Sequence, residues 1–502
     1  MKWSKCLGGL LMLTSISPAI AQEDTHQLQA EVNELRTTVK AMQTEINALK
    51  AAQTQTVNTS PSTPASTAAA SPAPAANATN TVETPVQAAS PQASTEQPNA
   101  SQIANVDRSP LPPQQSVSDN ANSASRIDNE APPTDPDLKG FIPIPGTQTM
   151  IRLGGYAKLD TIYDTGTIGT PDQFIAAAIP VPAPHDDTGN FTMQARQTRF
   201  SLDVRRPTIF DENMRFYFEN DFYGGGAGQY QFRLRQAFGQ LGNTYAGYGW
   251  SAFTDVDASP DTLDFAGPNA FVGLRQANVH QIFHVGETGS LTISAENPTS
   301  EVSSYTPDAT LRGTQHAPDL VLAGRTEHDW GHLQLSAVMR QLSYTDGEHS
   351  DRTLGAGASL AGAFKTGGSA SYSDLLMFGT VWGKGIARYI SDTGGAGLDA
   401  IVGPSGKLYA LTGGGAYGAY THYWSNNWRS NLVYGFARIE SSPWLSDNAF
   451  RDSTYGAANL IWSPVATLTV GVELLHGRLL EQDNRYNDDT RIQGSLQYSF
   501  IK

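Results

Sequence analysis

Between residues 150 and 164 the chain reads MIRLGGYAKLDTIYD. On an extended strand, Ile151, Leu153, Gly155, Ala157, Leu159, Thr161 and Tyr163 fall on one side; Arg152, Gly154, Tyr156, Lys158, Asp160, Ile162 and Asp164 fall on the other. An oily face backed by so long a charged face suits a membrane barrel, which has lipid outside and a wet lumen inside. The alternation returns at 194–205, where Thr198, Phe200, Leu202 and Val204 oppose Gln197, Arg199, Ser201, Asp203 and Arg205. At 214–223, Met214, Phe216, Phe218 and Phe222 face out, and Arg215, Tyr217, Glu219 and Asp221 face in. At 230–240 the outward set is Phe232, Leu234 and Phe238, with Arg233 and Arg235 inward. Weaker alternation recurs at 291–296, 320–327, 333–344, 353–364, 375–389, 408–424, 428–440, 455–462, 468–479 and 491–500. Connections such as Ser425-Asn426-Asn427 and Ser463-Pro464-Val465 read as short periplasmic turns, and the gaps at 165–191, 297–318 and 441–452 as long external loops. The pattern predicts an all-β transmembrane barrel of about 16 antiparallel strands over residues 138–502, wide enough to hold an aqueous channel.

The part before the barrel has a different periodicity. Residues 1–21 read as a signal peptide, with Lys2 and Lys5 before a short apolar run and Ala19-Ile20-Ala21 as the cleavage site. Residues 22–50 carry heptads, with Val32, Val39 and Ile46 at a and Leu28, Leu35, Met42 and Leu49 at d. Glu31 with Arg36, and Glu45 with Lys50, have the spacing of interchain pairs in a parallel coiled coil. The same face would also let a single amphipathic helix pack on the barrel end or on another protein. Residues 51–137, rich in Ala, Pro, Ser and Thr, cannot bury a core and read as a disordered linker.

Composition narrows the function. Cys6 leaves with the signal, so the mature chain forms no disulfide. Net charge is −15, and −17 once Lys2 and Lys5 are removed, which argues against nucleic acid as a partner. No apolar run after the signal reaches about 18 residues, the length a membrane-spanning helix needs. The chemistry lies in the inward positions. Lys158, Arg199, Arg205, Arg215, Arg233 and Arg235 would gather into one basic wall, favouring anions in a narrow pore. Alternatively, some of these bases pair with Asp160, Asp203, Glu219 and Asp221 and only brace the wall. The stretch FTDVDASPDTLDFAGPNA at 253–270 crowds Asp255, Asp257, Asp261 and Asp264, and reads as a loop folded into the channel that sets its bore, with Arg275 just beyond. Opposite a basic wall, its acids would create a transverse field. A solvated surface loop and a Ca²⁺ ligand set are the alternatives, although EF-hand spacing is absent. Glu327, His328, Asp329 and His332 read as a solvated turn rather than a metal site. With no catalytic motif, the chain reads as no enzyme, with no cofactor. A barrel lipase would need a Ser/His pair on the lipid face, and a trimeric adhesin a far shorter barrel per chain.

Several segments resemble the DcaP-like family of Gram-negative outer-membrane porins. They are IPGT at 144–147, GGYAKLD at 154–160, Ala195-Arg196-Gln197-Thr198-Arg199, Arg233-Leu234-Arg235, Asp255-Val256-Asp257 and TLDFAGPN at 262–269. Leu474-Leu475-His476-Gly477-Arg478 is similar to a general porin strand, and Tyr498-Ser499-Phe500 to a C-terminal barrel signal, here followed by Ile501 and Lys502. The resemblance covers most of 140–502 and implies a trimeric diffusion channel for small anionic solutes, dicarboxylates included. The expected partners are its own copies in a homotrimer, outer-membrane lipid and lipopolysaccharide, and small anionic solutes. The N-terminal extension is expected in the periplasm. The competing reading is a structural tether that reaches peptidoglycan through that extension.

Overall fold

The structure, a computed structural model, describes residues 141–500 apart from 186–187, 208–212, 307–309 and 370–371, together with Lys40. The signal peptide, the coiled-coil core positions Leu28, Val32, Leu35, Val39, Met42, Ile46 and Leu49, and the linker lie outside the described residues.

Sixteen antiparallel strands close into a barrel. β1 is Met150–Asp164; β2 has two segments, Asn190–Gln194 and Arg199–Pro207; β3 is Asn213–Gly224; β4 is Gln231–Leu241. β5 (Thr244–Trp250), β6 (Arg275–Val285), β7 (Gly289–Glu296) and β8 (Asp319–His328) follow. β9 (Gly331–Thr345), β10 (Ser350–Ser369), β11 (Tyr372–Lys384) and β12 (Thr412–Tyr423) continue the wall. β13 (Trp428–Ile439), β14 (Phe450–Val465), β15 (Leu468–Glu481) and β16 (Tyr486–Ser499) complete it. β16 pairs with β1 in the register Leu159↔Leu496, so no strand edge is left open. In lipid that closure is required, because an unpaired backbone group there has no water to bond.

Alternation sets which side chain meets lipid. Leu153, Leu159 and Tyr163 on β1, Leu432, Tyr434 and Phe436 on β13, and Ile492, Leu496 and Tyr498 on β16 all face outward. Short turns join β4–β5, β8–β9 and β14–β15 at one end of the barrel, the turn end; the longer connections 165–189, 251–274, 297–318 and 385–411 lie at the other. Near the turn end Trp428 stacks on Trp462 at 5.6 Å, and Trp330 on Phe364 at 5.3 Å, as in an aromatic belt at a membrane interface.

Several expectations need correction. Two strands flanking the 253–270 stretch, β5 and β6, carry few charges and escaped the alternation reading. Phe238 points inward, not out. A register shift opposite Glu219 and Asn220 inserts one residue into β4 near Arg235 and reverses the phase beyond it. Phe238 therefore stacks between Tyr217 and Tyr245, at 5.5 and 4.5 Å. The strand expected at 194–205 is interrupted, because Thr198 N–H bonds back to the Ala195 carbonyl. Ser463-Pro464-Val465 belongs to β14, and the turn is at 466–467. The segment at 375–389 ends as a strand at Lys384, and Ala387–Tyr389 is a 3₁₀ turn. The segment at 408–424 is split into Leu408–Ala410 and β12.

The barrel interior is only partly wet. Inward Val321, Val338, Met377, Val381, Val433, Leu475 and Leu479 pack against Phe174 and Ile175 of connection 165–189, Phe271 and Leu274 of 251–274, and Ile386 and Ile390 of 385–411. Connections 297–318 and 385–411 are also joined by a small sheet of Val302–Ser304, Ala400–Val402 and Leu408–Ala410. These loops form a hydrophobic core against one side of the barrel and leave the β1–β6 side polar.

Candidate functional site

The β1–β6 side begins with the alternation that gives each strand one charged face. Lys158 Nζ donates to Gln197 Oε1 and to the Leu263 carbonyl, both at 2.6 Å, and lies 3.4 Å from Asp160. Arg235 bonds Glu219 at 2.6 Å and Asp221 at 2.9 Å. Arg233 Nε donates to Asp221 at 2.8 Å, and Arg199 stands 3.9 Å from Glu219. Arg275 lies over the Trp250 ring at 4.6 Å and within electrostatic reach of Glu219. Nearer the turn end, Arg205 and Arg215 lie 3.2 and 3.1 Å from Asp203. All seven bases expected in the wall therefore lie on the same side of the lumen, and each stands near a carboxylate.

Two bases join them. Arg152 reaches Asp203 at 3.5 Å. Arg196, in the break of β2, pairs with Asp172 and donates to the Gly225 carbonyl at 3.1 Å. Nine bases (Arg152, Lys158, Arg196, Arg199, Arg205, Arg215, Arg233, Arg235, Arg275) thus meet five carboxylates: Asp160, Asp172, Asp203, Glu219 and Asp221. Glu296 on the neighbouring β7 is taken up by Gln276 at 2.6 Å and the Ala252 N–H at 2.9 Å. Asp164, inward on β1, is taken up by Arg491 of the adjoining β16 at 2.6 Å, so the side keeps a surplus of positive charge. Aromatic rings cover some of it: Tyr223 and Phe265 stack at 4.4 Å, with Arg233 over both and Arg235 over Phe265.

Connection 251–274 crosses the barrel interior. Its polar groups are fixed by strands around the wall. Glu473 on β15 accepts the Leu263 and Asp264 N–H groups, each at 2.9 Å. Asn459 on β14 donates to the Asp261 carbonyl at 2.7 Å, and Tyr417 on β12 to the Ala258 carbonyl at 3.0 Å. The four aspartates are all engaged by the wall beyond β7. Arg325 holds Asp255 at 3.0 Å and Asp257 at 2.7 Å; Arg429 holds Asp261 at 2.6 Å; Arg491 lies 3.3 Å from Asp264. Burial alone would raise the Asp255 carboxyl, but His332 at 2.9 Å and Arg325 hold it below the usual carboxylate range. The loop acids expected to stand bare opposite the basic wall are instead held by bases of other strands: Arg325 is shared by Asp255 and Asp257, Arg429 holds Asp261, and Arg491 is shared by Asp164 and Asp264.

Sequence reasoning missed Arg325, Arg429, Arg491 and Glu473, which hold the loop. Each lies at an inward position of its strand, so the alternation contained the signal. The weaker contrast of β8–β15 hid Arg325, Arg429 and Glu473, since their inward faces are largely apolar where the loops pack; Arg491 stands on the polar inward face of β16, where its partners Asp164 and Asp264 lie far away in sequence. Glu327 bonds Arg325 at 2.7 Å, and His328 and Asp329 lie at the β8–β9 turn; His332 is turned inward to Asp255.

The family described as DcaP outer membrane protein matches residues 128–498. No curated protein matches the chain at the sequence level. Among solved structures, the outer membrane channel DcaP of Acinetobacter baumannii is 19% identical, with a TM-score of 0.62, covering 72% of this chain and 100% of that one. OmpF of Salmonella typhi is 10% identical over 70% of this chain and 98% of that one, with a TM-score of 0.46. OmpT of Vibrio cholerae is likewise 10% identical, over 72% of this chain and 100% of that one, with a TM-score of 0.45. The chain belongs to the DcaP outer membrane protein family and has the fold of an outer-membrane porin.

Proposed function

We propose that the chain is a passive diffusion channel for small anionic organic solutes, dicarboxylates among them, which pass along the β1–β6 side of the lumen. The observation that supports this most is the charge asymmetry: nine bases meet five carboxylates there, while the four loop aspartates are held by arginines elsewhere. A row of guanidiniums lets a carboxylate move from one bidentate partner to the next without meeting one deep trap. In this reading Lys158, Arg199, Arg205, Arg215, Arg233, Arg235 and Arg275 set the preference for anions. Connection 251–274, with Asp255, Asp257, Asp261 and Asp264 locked, sets the bore. We also read the protein as a homotrimer in the outer membrane, in contact with lipid and lipopolysaccharide, with residues 22–50 helping to hold protomers together in the periplasm. Liposome swelling tests the solute class. Succinate enters faster than 1,4-butanediamine through the wild type, and R233Q/R235Q narrows the difference. Faster entry of the diamine contradicts this reading.

A further inference from the structure

At the turn end of the lumen, Arg205 on β2 and Arg215 on β3 are direct cross-strand partners. Two like charges in that position repel and destabilise a sheet. One carboxylate offsets them. Asp203 receives Arg215 Nε at 3.2 Å and NH2 at 3.1 Å, Arg205 NH2 at 3.2 Å, and Arg152 NH2 from β1 at 3.5 Å. Three guanidiniums thus share one carboxylate, and the quartet carries two more positive than negative charges. Solvent access differs around the group, from 5% for the Arg215 side chain to 11% for Arg205 and 29% for Arg152, which lies level with Asp203 and two residues deeper than Arg205 and Arg215. Phe141 caps the group, with the Arg152 and Arg205 guanidiniums 4.8 and 5.1 Å from its ring centre. The ring is set there by Ile142–Pro143, which pairs back on Met150 and Ile151. Stacking fixes the guanidinium planes while leaving their N–H edges available for hydrogen bonds.

We propose that Arg152, Arg205 and Arg215 around Asp203 form an anion-binding site at the turn-end mouth. It takes one compact dianion through carboxylate or phosphate oxygens, with Phe141 as a positioning residue. A costly like-charge pair, a charge excess of two among the described residues and the solvent access of Arg152 together make a cation cluster that an anion can reach. The site rests on the reading that anions pass this lumen, and it would receive or release them at that end.

Single-channel recording of the full chain, with succinate added to one compartment and then the other, tests it. Succinate interrupts the current, and R152Q weakens that block roughly tenfold from the turn-end side, as expected for one lost charge-assisted hydrogen bond. D203N raises the excess charge of the quartet from two to three and strengthens the block, which loss of a merely structural contact would not do. Arg152 is the most exposed member, so R152Q alone decides the matter if D203N does not fold. An unchanged block constant in R152Q from both sides overturns the site. If the wild type stays anion-preferring in a salt gradient, only the site has failed; if it does not, the channel reading has failed with it.

Discussion

Arg491 shows how charge is carried inside this barrel. Its side chain is fully buried, bonds Asp164 at 2.6 Å, lies 3.3 Å from Asp264, and has the Phe174 ring 5.3 Å away. Removing it strands two buried carboxylates, so R491M lowers stability by about 3–5 kcal/mol in urea unfolding. Arg478 with Asp488 is an ion pair of similar length, 3.3 Å, but both side chains are about half exposed. R478M costs below about 1 kcal/mol, because losing that partner leaves no carboxylate buried. Equal losses in the two variants contradict this assignment. Glu301 behaves differently. Burial and the adjacent Asp399 carboxylate push it up to about 7, against the pull of Arg388 and Arg340. Its value in the unfolded chain is near 4.5, so the native state holds the proton more tightly between those values. Stability from this group is greatest below 4.5 and is lost as pH rises through 7. Hydrogen exchange over connections 297–318 and 385–411 then speeds up across that window, and E301Q flattens the change.

At the scale of elements, alternation was most legible where the lumen is polar. On β1, β2 and β3 each inward residue is charged or hydrogen-bonding often enough to mark the face. On β8–β15 the inward face carries Val321, Val338, Met377 and Leu475 beneath packed loops, so both faces are apolar and the period fades. β5 and β6 were missed because, apart from Arg275 at the loop end of β6, their inward residues, such as Tyr245, Asn278 and His280, carry no formal charge to contrast with the lipid face. The phase reversal that turns Phe238 inward depends on one extra residue in β4, which binary patterning does not encode. The aspartates of connection 251–274 were visible in the sequence; their arginine partners lie far along the chain and are brought close only by barrel closure. Neutralising two of those partners is therefore informative. R325Q/R429Q uncovers Asp257 and Asp261, leaves Asp255 to His332 and shifts the channel toward cations, although neither arginine belongs to the basic wall. An unchanged ion preference in that double variant contradicts the view that the loop acids are electrostatically silenced.

For the whole molecule, closure within residues 141–500 satisfies the strand hydrogen bonds by pairing β16 with β1. A chain beginning near residue 138 is therefore expected to fold into a heat-modifiable barrel with the wild-type ion preference; loss of the barrel on that truncation contradicts this. The net charge of the chain, −15, says nothing about what the lumen selects. Placement does: the loop acids inside are held by Arg325, Arg429 and Arg491, and the surplus bases are gathered on one side. The most direct test of that claim is the reversal potential of single channels in a planar bilayer under a salt gradient. Anion preference in the wild type, reduced in R233Q/R235Q, is the result expected from a basic lumen wall. A cation-preferring wild type, or a double variant with the same reversal potential, would contradict it.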